Sequence, residues 1–103
     1  MKKVVVVTPV FNGETFIKAC LNSVALSNTN SSFEIEHIVV DDSSTDNSWS
    51  IIQEFKLDTI NSIHLEKNQG SSHARNVAVA QSDGDFIFCL DQDDVLFQNS
   101  FLT

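Results

Sequence analysis

Val4-Val5-Val6-Val7-Thr8-Pro9-Val10-Phe11-Asn12-Gly13 is the stretch on which the fold turns. Four successive β-branched residues favour extended backbone, and a run that is apolar at every position predicts a strand buried on both faces. Pro9 and Gly13 punctuate the end of that strand and the loop after it. Phe16, Ile17, Cys20, Leu21 and Val24 then recur at steps of one and three, the stripe of a helix that buries one side. A strand covered on both faces and succeeded at once by such a helix opens a parallel βαβ unit.

The same alternation continues along the chain. After a polar linker, Ser27 to Ser32, Phe33 to Val40 predicts a second strand. Trp49, Ile52 and Phe55 mark a second helix, and Ile63 to Leu65 a short third strand. Ala74, Val77 and Ala78 mark a third helix, Asp83-Gly84 a turn, and Phe86-Ile87-Phe88-Cys89-Leu90 a fourth, fully buried strand. Crossovers of this length imply a parallel sheet with right-handed connections and helices on both faces. In such sheets ligands bind beyond the carboxyl ends of the strands. The unusual residues fall at those ends: Thr8 to Gly13, Asp41-Asp42, Asn68 to Gly70, and Asp91 to Asp94.

Length and composition bound the possibilities. With 103 residues, 42% of them apolar, the chain makes one domain with one core. Eight Phe and one Trp argue against disorder. Six Lys and Arg against fourteen Asp and Glu leave a net charge of −8. That balance argues against nucleic acid as a partner and disfavours an anionic membrane surface. A phosphorylated ligand remains open if a divalent cation bridges the negative charges. Cys20 and Cys89 sit among apolar residues and read as two buried free thiols, and His37, His64 and His73 lack zinc-ligand spacing. The apolar run after Lys2-Lys3 is too short for a signal peptide, and no segment is long enough to cross a membrane. A cytoplasmic location is expected, with any larger parent protein at the inner face of a membrane.

Three constellations carry chemistry. Asp91-Gln92-Asp93-Asp94 places three carboxylates directly after an apolar strand, where an Asp-x-Asp spacing lets two of them converge on one hard divalent cation. Read alone, the run is equally a solvated acidic turn. Asp41-Asp42-Ser43-Ser44-Thr45-Asp46 offers an acceptor for a base N–H or a sugar hydroxyl. Asp42 is assigned that role, and Ser44, Thr45 or Asp46 the cap of the next helix. Asn68-Gln69-Gly70-Ser71-Ser72 leads into a helix that carries Arg75, the sole arginine; read alone it is a connector with a solvated side chain beyond it.

Together these segments resemble the amino-terminal half of family 2 glycosyltransferases of the GT-A fold. Val5 to Gly13 is similar to that family's opening strand with its Pro-Val-aromatic-Asn turn. Val39 to Asp46 is similar to its second-strand motif, which usually has Gly where Ser43 stands. Asn68-Gln69-Gly70 with Ala74-Arg75-Asn76 is similar to its Asn-x-Gly…Ala-Arg-Asn segment. Gly84-Asp85 with Phe88 to Asp94 is similar to its Asp-x-Asp motif. The family's usual Pro after that motif is missing from Phe97-Gln98-Asn99. The resemblance implies a Rossmann-like three-layer α/β/α fold with a four-stranded parallel sheet. It implies a nucleotide-sugar donor, most often UDP-linked, with Mn²⁺ or Mg²⁺, and inverting transfer to a saccharide or lipid-linked acceptor. On the same basis Pro9 and Val10 line the base and ribose pocket, Asp42 recognises uracil, and Arg75 lies near the base or diphosphate. Asp91 contacts the ribose or the metal, and Asp93 ligates the metal.

The family places its general base and acceptor site well past the Asp-x-Asp motif. No catalytic residue is therefore assigned within 1–103. The chain reads as a donor-binding half truncated after that motif, with self-association expected through the sheet edge so bared. The alternatives are a standalone or inactive nucleotide-binding module and a haloacid-dehalogenase-type phosphatase, in which Asp91 would be the nucleophile. The phosphatase motif normally opens its domain, whereas here it falls last. A receiver-like signalling domain fits less, because its acidic pair should end the first strand.

Overall fold

A computed structural model describes residues 2–29 and 32–96. The expected features at Phe97-Gln98-Asn99 lie outside the described residues. The chain alternates β1 (Lys3–Val10), α1 (Ile17–Thr29), β2 (Glu34–Asp41), α2 (Ser48–Glu54), β3 (Ile60–His64), α3 (Ser71–Gln81) and β4 (Phe86–Cys89). All pairings are parallel and the strand order is β3-β2-β1-β4. The fold is the Rossmann-like α/β sandwich expected from the sequence.

Period-two geometry divides the valine run between two cores. Val4, Val6 and Val10 pack with Ile17, Cys20, Leu21 and Val24 of α1 and Ile52 of α2. Val5 and Val7 face the other way and meet Ile38 and Val40 of β2 and Ala74 and Ala78 of α3. The alanines carry only a methyl, so α3 seats low across β1 and β2. Helices thus cover both faces, with α1 and α2 on one side and α3 on the other.

Element limits differ from the sequence reading where local polarity misleads. Helix α1 runs into the expected linker as far as Thr29, and the Ser27 hydroxyl bonds back to the Ser23 carbonyl within it. Strand β3 begins at Ile60 rather than Ile63, because Asn61 and Ser62 are exposed side chains on an edge strand whose backbone still pairs with β2. The larger correction is β4. The sequence predicts it fully buried, yet Phe86, Ile87 and Phe88 are exposed, Phe86 to 53%. Among the described residues it pairs only with β1, and all four of its residues are exposed. Cys89, expected to be buried, is therefore exposed, while Cys20 is buried as expected. No described helix is long and apolar enough to cross a membrane.

The Asp83-Gly84 turn delivers the chain into β4. A Cβ on Gly84 would lie 2.5 Å from Val5 Cγ2 and 3.3 Å from the Lys3 carbonyl oxygen. Val5 is fully buried and stiff at χ1, so it cannot step aside. Gly84→Ala is expected to cost about 1–3 kcal/mol of stability by overpacking, read as a lower urea midpoint at unchanged slope. A wild-type midpoint would show that the turn yields without cost.

Candidate functional site

The chain leaves β1 toward β2 and β3 and then returns to place β4 on the other side of β1. Such a reversal opens a crevice at the carboxyl ends of the two diverging strands. A cavity of about 240 Å³ lies there. Pro9, Val10 and Phe11 line it from the end of β1, Asp42 from the end of β2, and Ser71 and Arg75 from α3. Asp91, Gln92 and Asp93 line it from the segment after β4. All six residues singled out from the sequence, Pro9, Val10, Asp42, Arg75, Asp91 and Asp93, thus meet at one cavity. Phe11, Ser71 and Gln92, which lie within the same sequence segments but carry no assigned role there, join them.

The acidic pair divides by strand periodicity. Asp41 lies on the α2 side, fully buried, and accepts hydrogen bonds from the Ser44 N–H (3.2 Å), the Ser44 hydroxyl (2.5 Å) and His64 Nδ1 (2.9 Å). The His64 ring in turn lies against Trp49, with centroids 4.9 Å apart. Asp42, 2% exposed, turns to the α3 side, where its two oxygens accept the Gln69 N–H at 2.9 Å and the Gly70 N–H at 2.8 Å. Each oxygen keeps a lone pair for a ligand N–H or O–H. Asp42 therefore both ties down the loop entering α3 and faces the cavity. Gly70 has φ +97°, which suits glycine, and this lets the loop present consecutive N–H groups to one carboxylate.

The loops after β1 and β2 lock onto each other. The Asn12 N–H donates to Ser44 Oγ (3.0 Å), the Gly13 N–H to Ser48 Oγ (2.8 Å) and the Glu14 N–H to Asp46 (3.2 Å). In return Asn12 Oδ1 accepts the Thr45 N–H at 2.8 Å. The N-cap of α2 is Asn47, whose side chain makes no cap hydrogen bond, rather than the expected Ser44, Thr45 or Asp46; Asp46, one residue earlier, accepts the Ser48 N–H at 2.9 Å. Partial desolvation would raise the Asp46 pKa, but the Ser48 hydroxyl and the Ser48 and Glu14 N–H groups prevail and hold it below the usual carboxylate value. Ser43, where the resembling family usually has Gly, sits at φ +61°, the left-handed region in which glycine carries no Cβ penalty.

Asp91, Asp93 and Asp94 offer one carboxylate oxygen each within 4.8 Å of one another. Oxygen donors so spaced and open to solvent fit a hard divalent cation. Behind them the Cys20 thiol donates to the Asp91 carbonyl at 3.8 Å. Burial, with the nearby Asp94, Asp93 and Asp91 charges adding to it, pushes that thiol's pKa up to about 11, so Cys20 stays protonated. Arg75 brings the only guanidinium, facing Asp42, Asp91 and Asp93 across the cavity, and its Nε is buried with no partner among the described residues.

With this geometry in place, the chain matches the Glycosyl transferase family 2 domain over residues 5–102. It is 34% identical over 102 residues to the poly(ribitol-phosphate) beta-N-acetylglucosaminyltransferase TarS of Staphylococcus aureus, covering 93% of this chain and 17% of TarS. It is 35% identical over 98 residues to the glycosyltransferase GlyA of Streptococcus pneumoniae, covering 94% of this chain and 14% of GlyA. The crystal structure of S. aureus TarS 1-349 in complex with UDP-GlcNAc superposes with a TM-score of 0.82 at 36% identity, covering 99% of this chain and 29% of that one. The chain thus spans about a sixth of the length of these full-length relatives. Over that span it has the Rossmann-like α/β architecture of GT-A enzymes. Sequence, strand order and the grouping of acidic residues at one sheet edge agree: the chain belongs to glycosyl transferase family 2.

Proposed function

We propose that residues 1–103 form the nucleotide-sugar-binding part of an inverting glycosyltransferase that uses a UDP-linked donor. The observation that carries this reading is the meeting of Asp42, Arg75, Asp91 and Asp93 at one cavity, in a chain 36% identical to a protein crystallised with UDP-GlcNAc. The cavity, about 240 Å³, is slightly below the range of pockets that enclose a whole drug-sized ligand, so it suits a nucleoside with the remainder extending outward. The base and ribose lie against Pro9 and Val10. The spare lone pairs of the Asp42 carboxylate accept the N–H of uracil. Arg75 faces the base or the diphosphate, and Asp91 the ribose hydroxyls or the cation.

Asp91 and Asp93 would hold Mn²⁺ or Mg²⁺, whose positive charge stabilises the negative charge that develops on a departing diphosphate. The need for it follows from the cavity's own charge: three carboxylates and one guanidinium repel a bare diphosphate. In the transfer itself an acceptor hydroxyl oxygen bonds to the anomeric carbon from the side opposite the diphosphate. The bond to the diphosphate oxygen breaks, its electron pair leaves with the diphosphate, and the hydroxyl proton passes to a base. No residue of 1–103 is assigned as that base, and the acceptor is a saccharide or a lipid-linked saccharide.

UDP is expected to stabilise the chain only when Mn²⁺ or Mg²⁺ is present, by about 2.7 kcal/mol at ligand near 100 times Kd. Thermal melts with UDP, with and without EDTA, measure this. An equal shift in EDTA would remove the metal from the reading, and no shift in either condition would remove the donor.

A further inference from the structure

We propose that Gln92, the middle residue of the Asp-x-Asp run, is a positioning residue that clips the acidic turn to the end of β1 and so sets the geometry of Asp91 and Asp93. The proposal rests on the donor-binding reading for its functional half only.

Along a strand, the N–H and C=O groups of successive residues face opposite neighbours. In β1 the Val7 carbonyl accepts the Leu90 N–H, and the Val10 carbonyl accepts the Asp42 N–H. Odd-numbered residues here therefore face β4 and even-numbered ones face β2. Pro9 faces β4 and has no N–H to offer, so the ladder between β1 and β4 ends at its level. Two residues on, Phe11 again faces that side. Its N–H donates to Gln92 Oε1 at 2.8 Å, and its carbonyl accepts Gln92 Nε2 at 3.1 Å. The primary amide of Gln92 thus resumes the ladder where the backbone cannot.

The approach is built for. A Cβ on Gly13 would lie 2.6 Å from Gln92 Oε1 and 2.7 Å from its Cδ, so the amide reaches Phe11 through space that only glycine leaves open. The acidic turn itself is closed by the Asp94 N–H on the Asp91 carbonyl at 3.0 Å. Asp91 and Asp93 flank Gln92 directly, and fixing one side chain between them limits how far both carboxylates can swing. Gln92 also lines the cavity, yet both ends of its amide are already engaged with Phe11.

Hydrogen exchange and calorimetry on the whole chain test this with Gln92→Ala, Gly13→Ala and the double variant. In Gln92→Ala, exchange of the Phe11 and Asp94 N–H groups is expected to speed up about tenfold, UDP–Mn²⁺ to bind about tenfold more weakly, and uridine to bind as in the wild type. Gly13→Ala is expected to show the same pattern, and the double variant to be no worse than Gln92→Ala, because both substitutions break one contact. A global loss of folding would instead weaken uridine as well. Wild-type exchange at Phe11 and Asp94 in Gln92→Ala overturns the clip. Faster exchange with unchanged UDP–Mn²⁺ affinity overturns its role in positioning the carboxylates. Faster exchange in a protein whose wild type ignores UDP–Mn²⁺ supports the clip and overturns the donor-binding reading.

Discussion

Acidification from pH 7 to pH 4 is expected to cost the fold about 3 kcal/mol through His37 alone. His37 lies within β2, 1% exposed, on the face covered by α1 and α2. Its Nε2 is 2.7 Å from Thr8 Oγ1, and its Nδ1 has no partner among the described residues. Burial disfavours the imidazolium and lowers the pKa from 6.5 to about 3. The unfolded chain therefore takes up a proton below about pH 6.5, while the folded chain does so only near pH 3. The stability conferred by this difference is fully present above 6.5 and is lost progressively as the pH falls toward 3. His37→Gln isolates the effect, since its amide can still reach the Thr8 hydroxyl but does not titrate. Urea midpoints at several pH values should show the wild type losing its advantage over His37→Gln by about 3 kcal/mol between pH 7 and pH 4. A constant gap would mean that the imidazole takes its proton inside the folded protein.

The central strands are legible in the sequence because burial on both faces leaves a continuous apolar run, as at Val4 to Val7 and Ile38 to Val40. The same run at Phe86 to Leu90 misleads, because burial belongs to what packs against a strand and not to the strand itself. Among the described residues β4 pairs on one side only, and its phenylalanines are exposed, with the Phe86 ring edge-on to Phe33. At β3 the error is opposite: Asn61 and Ser62 hide a strand whose backbone ladder does not depend on its side chains. The site is legible as residue types at strand ends. That Asp42 rather than Asp41 lines the cavity follows from strand period. Val40 shares the α3 face, so period two sends Asp41 to the α2 side and Asp42 back to the α3 side and the cavity. The Gln92 contact has no such signal, since it depends on the absence of an N–H at Pro9 and of a side chain at Gly13, two gaps that matter only once β4 is placed beside β1.

Asp42→Ala and Asp93→Ala are expected to fail in different ways. Asp42 is buried and accepts two backbone N–H groups from the loop that enters α3. Removing it leaves both donors without their acceptor, at a cost of about 2–4 kcal/mol of stability, since charge-assisted bonds contribute about 1.5–3 each and the gains overlap. The loop it releases positions Ser71 and Arg75, so that side of the cavity loses its shape and, in the donor site proposed above, the acceptor for the base. Uridine and UDP–Mn²⁺ should therefore weaken together, because a base contact is made with or without the phosphates. Asp93 is exposed, and no tertiary hydrogen bond among the described residues depends on its carboxylate, so Asp93→Ala should melt like the wild type. It should bind uridine normally and lose about ten- to a hundredfold in affinity for UDP–Mn²⁺, the loss expected when one charged ligand of a bridging cation is removed. Calorimetry with uridine, UDP, and UDP with Mn²⁺ resolves the two patterns, and guanosine with GDP–Mn²⁺ serves as the control for base selection. Equal losses for all uridine ligands in both variants would place the two carboxylates in one role and refute the division. Loss of UDP–Mn²⁺ in Asp93→Ala, with uridine binding and melting temperature intact, is the result that only a cation held between this acidic turn and a diphosphate produces.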